Sequence, residues 1–139
     1  MKKFFLLSLL FTGCNLLNPN GVQNTVTNGL DTKKYPFRIV EVLPNPDGTD
    51  IGNEYFKVKN IGSESADISN WYSTGRISLR RTHIRTVKVA PNEEVFLGRG
   101  GTNEWLHNTA DTLRFYAPDN TLVQTIIWAN AKDGDIIKP

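Results

Sequence analysis

At 139 residues the chain has room for a single hydrophobic core. With 39% apolar and 22% charged residues it has the composition of a folded domain and not of a disordered one. The formal charge of +2 falls to zero once Lys2 and Lys3 are set aside (fourteen basic against fourteen acidic residues), so no global basic character argues for nucleic acid.

The first residues stand apart from the rest. Met1-Lys2-Lys3 is a short basic region, and Phe4 to Phe11 is apolar apart from Ser8. The run falls well short of the roughly 20 apolar residues a bilayer-spanning helix needs, and it reads as a secretory signal. Leu10-Phe11-Thr12-Gly13-Cys14 resembles the lipobox of bacterial lipoproteins, with Phe11 where Leu is usual. The resemblance implies cleavage after residue 13 and lipidation of Cys14; the alternative is a chance cysteine in an ordinary signal peptide. An anchor of two or three acyl chains holds stably, since each buried methylene contributes about 0.8 kcal/mol. Cys14 is the sole cysteine, so no disulfide staples the remainder. Asn15 stands where some lipoproteins carry an inner-membrane retention Asp. The expected location is therefore the bacterial cell envelope, at the outer membrane or cell surface.

Residues 14–36 are rich in Asn, Thr and Gly and lack a sustained period, which reads as a flexible tether. Val22 and Val26 leave open an additional edge strand there. Residues 37–139 form the expected domain. Phe37 to Leu43 carries apolar groups on both faces, as a doubly covered strand does, and Asn45-Pro46-Asp47-Gly48 closes it with turn chemistry. Tyr55 to Lys59 alternates, with Phe56 and Val58 inward and Tyr55, Lys57 and Lys59 outward. Further strands are predicted at Ala66 to Trp71, Ile77 to Arg81, Ile84 to Val89, Val95 to Leu97, Thr112 to Tyr116 and Leu122 to Trp128. Ala90-Pro91-Asn92 and Ala117-Pro118-Asp119-Asn120 mark turns, and Asn120 suits the left-handed region. No window shows a helical apolar period, so the fold class is an all-β antiparallel sandwich.

The ordered set Ile39 to Pro46, Gly52 to Asn60, Ala66 to Trp71, Val89 to Gly98, Ala110 to Tyr116 and Ile127-Trp128 resembles the lamin-tail domain family. Lys57 stands where that family often has an acid, and Asn92 and Asn120 replace turn glycines. The resemblance implies an immunoglobulin-like β-sandwich with a binding or scaffolding role, not an enzyme. Fold alone does not settle function.

The chemistry-bearing residues point the same way. There is no GxSxG elbow, and His83 and His107 lack a catalytic or zinc-site partner pattern. Asp47, Asp50, Asn53 and Glu54 offer hard oxygen donors for calcium, though not in EF-hand spacing; the alternative is that they cap turns. Arg76, Arg80, Arg81, Arg85 and Lys88, with His83, form a basic hairpin suited to an anionic polymer such as nucleic acid or lipopolysaccharide. The alternative is a solvated edge whose cations repel strand addition. Trp71 and Trp128 fall in predicted strands as core. Trp105, in a Gly-rich loop, either contacts a partner or plugs the end of the sandwich. The expected protein is a membrane-anchored binding or structural module without cofactor or small-molecule substrate. Its partners are the membrane, through Cys14, and a protein or anionic polymer; the alternative class is an accessory subunit of an envelope hydrolase.

Overall fold

The computed structural model describes residues 24–75, 82–83, 87–98 and 106–139. Among them there is no helix, and every strand pairing is antiparallel. In chain order the strands are β1 (Asn24–Thr27), β2 (Phe37–Leu43), β3 (Tyr55–Asn60), β4 (Ala66–Asp67) and β5 (Tyr72–Thr74). They are followed by β6 (Thr82–His83), β7 (Lys88–Val89), β8 (Glu94–Gly98), β9 (Ala110–Tyr116) and β10 (Leu122–Ala129). One sheet runs β1-β10-β9-β5-β6, a second β2-β3-β8, and β4 and β7 form a short ladder.

Alternation explains β3 and β9. In β3, Phe56 and Val58 are buried while Tyr55, Lys57 and Lys59 face outward; in β9, Asp111, Leu113 and Phe115 point in. Side chains of both sheets meet in one core, with Phe56 of one sheet 6.3 Å from Phe115 of the other, ring to ring. Trp71 bridges Phe37 (5.0 Å, edge-on) and Phe115 (5.1 Å). Rings of this size contribute roughly 1.5–3 kcal/mol each on burial, so this aromatic set is a large part of what holds the layers together. The fold is all-β and sandwich-like.

The expectation that β2 is covered on both faces is corrected by its register. Ile39 lies opposite Val58 and Glu41 opposite Lys57, so Val40 is an extra residue. This bulge shifts the inward phase from Phe37 and Ile39 to Val42, which makes a one-sided strand look apolar throughout. It also turns Ile39 toward β10. There the Gln124 carboxamide accepts the Ile39 N–H at 2.7 Å and donates to the Ile39 carbonyl at 3.1 Å. Gln124 is buried beside a second bulge, between Leu122 and Gln124. Farther along β2, Val42 exchanges both backbone hydrogen bonds with Ile137.

Two local readings differ from the structure. The segment Ala66 to Trp71 is a strand only over Ala66–Asp67, because Asn70 takes φ 62° and the Trp71 N–H closes a turn onto the Ile68 carbonyl. Trp71 is core all the same, and the strand resumes at Tyr72. Asn92 and Asn120 adopt φ 63° and 67°, the left-handed conformation that their short polar side chains tolerate. Residues 77–81 and 84–86 lie outside the described residues.

The stretch read as a tether is fastened to the domain from Asn24 onward, since β1 pairs with β10 and occupies its edge. Leu30 and Tyr35 pack against the core. The Tyr35 hydroxyl donates to Asp119 at 2.9 Å, and Lys34 lies 3.1 Å from the same carboxylate. Arg38, buried at the start of β2, spends its guanidinium on the Tyr35 and Phe37 carbonyls. Thr121, through its hydroxyl and N–H, then Tyr35 and Lys34, hold the Asp119 carboxyl far below its usual range.

Two outcomes are expected. Gln124→Ala should strand the Ile39 N–H and C=O and lower urea stability by about 2–4 kcal/mol with the m-value unchanged, whereas the half-buried Thr125→Ala should stay within about 0.5 kcal/mol. Asp119 has a depressed folded pKa, so its contribution is present above the unfolded value near 3.9 and fades as pH falls through the lower folded value. The stability gap between wild type and Asp119→Asn should therefore shrink below about pH 4.

Candidate functional site

The loop between β2 and β3 turns at Gly48 (φ 88°) and Gly52 (φ 83°), both left-handed. Its oxygen donors are dealt to separate tasks. Asp50 accepts a hydrogen bond from Asn108 Nδ2 at 2.6 Å, and its carbonyl accepts the Asn53 N–H. Asn53 Nδ2 donates to the Thr49 carbonyl at 2.8 Å. Asp47 lies against Gly134, where a Cβ would come within 3.1 Å of its Oδ1, and Glu54 is buried at the root of β3. Among the described residues no three acid, His or Cys side chains converge as a metal ion requires. Of the expected calcium donors Asp47, Asp50, Asn53 and Glu54, the three acids do not converge as one group. Asp50 fastens the loop to Asn108, and Asn45 ties it to the C-terminal segment by donating to the Ala131 carbonyl and to Asp133.

Of the basic stretch, Lys88 is exposed on β7 opposite Asp67. Arg76, Arg80, Arg81 and Arg85 lie outside the described residues, as do Trp105 and Cys14. His83 stands in β6 in register with Tyr72. His107 serves the core: its carbonyl accepts Trp128 Nε1 at 2.8 Å, its N–H reaches Asp111, and its Nδ1 lies 2.9 Å from the Thr109 hydroxyl. A hollow of about 210 Å³ lies beside Thr32, Lys33, Pro36, Ser63, Glu64 and Ala66, with a mixed polar and apolar lining. It is smaller than the roughly 300–1,000 Å³ usual for small-molecule sites.

The outer face of the β2-β3-β8 sheet is the most developed surface. Register sets Glu41 beside Lys57 and Lys57 beside Phe96, with Tyr55 one step away opposite Gly98. Lys57 Nζ lies 2.8 Å from Glu41 Oε1, and the Tyr55 hydroxyl donates to the same oxygen at 2.8 Å. The Tyr55 and Phe96 rings pack at 4.2 Å, tilted by 33°, and Phe96 is 61% exposed. Its ring also covers Gly98. Lys57 and then Tyr55 hold the Glu41 carboxyl below its ordinary value, while Glu41 raises Lys57. Burial, then Glu41, pushes the Tyr55 phenol up. All three shifts favour the forms these groups take near neutral pH: a carboxylate, an ammonium and a neutral phenol.

Sequence reasoning missed Phe96. The signal was present in Val95-Phe96-Leu97, three consecutive apolar residues in a strand, of which the middle one must face away from its neighbours.

No protein-family model matches this chain, and no curated protein matches it either.

Removing the charge at Glu41 tests the coupling in this cluster. Glu41→Gln should lower the Tyr55 pKa, seen as an earlier phenolate rise at 295 nm on alkaline titration. Thr125→Ala, on β10 of the other sheet, should leave that titration unchanged.

Proposed function

We propose that this chain is a lipid-anchored lipoprotein of the bacterial cell envelope whose β domain acts as a non-catalytic binding or structural module. The observation that carries the reading is the lipobox-like Leu10 to Cys14 after a basic and apolar leader, followed closely by an all-β domain whose first described strand starts at Asn24. Nine residues lie between Cys14 and β1, ten steps along the chain, so the connection spans at most about 36 Å and an anchored domain would sit close to the bilayer.

The domain itself is read as an immunoglobulin-like sandwich of lamin-tail type. What supports this is strand adjacency: β2-β3-β8 beside β10-β9-β5 repeats the A-B-E and G-F-C neighbours of that architecture. A non-catalytic role is supported by the tasks of the titratable groups. Glu41 and Lys57 neutralise each other, the Tyr55 hydroxyl is spent on Glu41, and the His107 ring lies against the Thr109 hydroxyl.

The decisive experiment is mass spectrometry of the N-terminal peptide from protein expressed in a bacterium with lipoprotein-processing enzymes. The expected result is a diacylglyceryl or triacyl mass on Cys14, with the protein entering the detergent phase of a Triton X-114 separation. Cys14→Ser should abolish the modification and shift the protein toward the unprocessed precursor. A free Cys14 thiol in the mature protein would sink the proposal.

A further inference from the structure

The outer face of the five-stranded sheet is fixed by register. Leu113 and Phe115 of β9 and Ile126 of β10 lie in the core, so the residues that alternate with them point out. One row across the sheet reads Val26, Thr125, Arg114 and Thr74, and the next reads Asn24, Ile127 and Thr112. Tyr116 stands two positions beyond Arg114, its ring stacked 4.9 Å from that of Tyr72. Val26 is 57% exposed and Ile127 38%, and they are diagonal neighbours on adjacent strands.

Charge separates this face from that of the other sheet. The strands β1, β5, β6, β9 and β10 contain one carboxylate, Asp111, and it is buried on the inner side. Their one Lys or Arg residue is Arg114, half-buried on the outer face. Thr125 and Thr74 stand opposite it on the two neighbouring strands, and Thr112 and Tyr116 flank it along its own. The outer face of β2-β3-β8 carries Glu41 and Glu94 instead. An apolar pair beside a guanidinium ringed by hydroxyls, with no acid in these strands to repel an anion, complements a phospholipid surface.

We infer that this face docks on the headgroup region of the bilayer, with Val26 and Ile127 toward the acyl boundary and Arg114 paired with lipid phosphate. The inference rests on the lipid anchor proposed above. What makes lipid the occupant is where the chain enters the domain. Asn24, the first residue of β1, lies on this face, ten steps from Cys14. An anchored domain is confined within about 36 Å of the surface, so a contact too weak to hold a free protein becomes populated. Arg114 lies two strand spacings, roughly 10 Å, from Val26, and a single patch presents both. Apolar burial and attraction to anionic lipid then act together. In this orientation the face bearing Glu41, Glu94 and Phe96 points away from the lipid.

The test is nitroxide labelling at single introduced cysteines in the full lipidated chain, reconstituted through Cys14 into vesicles of phosphatidylethanolamine and phosphatidylglycerol. An acylated Cys14 takes no thiol reagent, so the label reports the introduced position alone. Val26→Cys and Ile127→Cys should each be about fivefold less accessible to a water-soluble nickel relaxant than Phe96→Cys. Arg114→Gln with an unchanged circular dichroism spectrum should raise access at position 26 about twofold or more, and so should phosphatidylcholine in place of phosphatidylglycerol. Equal access at 26, 127 and 96 on an acylated chain overturns the inference and leaves the anchor standing. Shielding that ignores Arg114→Gln overturns it too, as does shielding that grows with the surface density of protein, the mark of contact between copies. A free Cys14 removes the anchor and this inference with it, and mass spectrometry of the same sample separates that case from the others.

Discussion

A sheet that ends inside a protein must find partners for the backbone groups along its last strand, and this requirement organises the molecule. An unsatisfied buried N–H or C=O costs about 1–3 kcal/mol, comparable to the net stability contributed by a large side chain. At the β2 edge the solution is a side chain from the opposite sheet. Gln124 carries a donor and an acceptor on one planar group and can meet both backbone groups of Ile39, which neither an acid nor a hydroxyl does with the same reach. Because the contact joins the two layers, it also sets their relative position. The bulges at Val40 and near Val123 are the local distortions that bring the two halves of the contact together.

The same requirement explains why both described ends of the chain lie along strands. β1 covers β10, and Ile137 covers β2. The segment between β1 and β2 is then held by Tyr35 and Lys34 on Asp119 and by Arg38 on the carbonyls it passes. Asn60 does comparable work at the other end of β3. It is fully buried, its Nδ2 donates to the Glu64 and Val89 carbonyls, and its Oδ1 accepts the Gly62 N–H. One amide thereby closes the following turn and ties it to β7.

Where the edges are satisfied, the polar groups are consumed by structure. The β2–β3 loop, His107 and Asp119 all illustrate this. The outer face of β2-β3-β8 differs because its charges are paired and its aromatic group is left in solvent. A surface that combines paired charge with an exposed ring is equipped for contact with another molecule. It is poorly equipped for moving protons.

Local patterning by itself determined the all-β class, the alternating strands β3 and β9, the inward Trp71 and Trp128, and the turns at Asn92 and Asn120. These are legible because a side chain's face in a strand, and an Asn's tolerance of positive φ, depend on a few neighbouring residues. Tertiary structure decided the rest. The phase change at Val40 is a one-residue event with no mark in composition, and the Gln124–Ile39 contact spans 85 positions. That 24–27 is a strand follows from the open flank of β10, not from the weak pattern of Asn-Thr-Val-Thr. The place of Phe96 against Tyr55 depends on β8 pairing with β3. Lateral position in a sheet is set by pairing between distant segments, and a sequence read along its length contains no direct record of it.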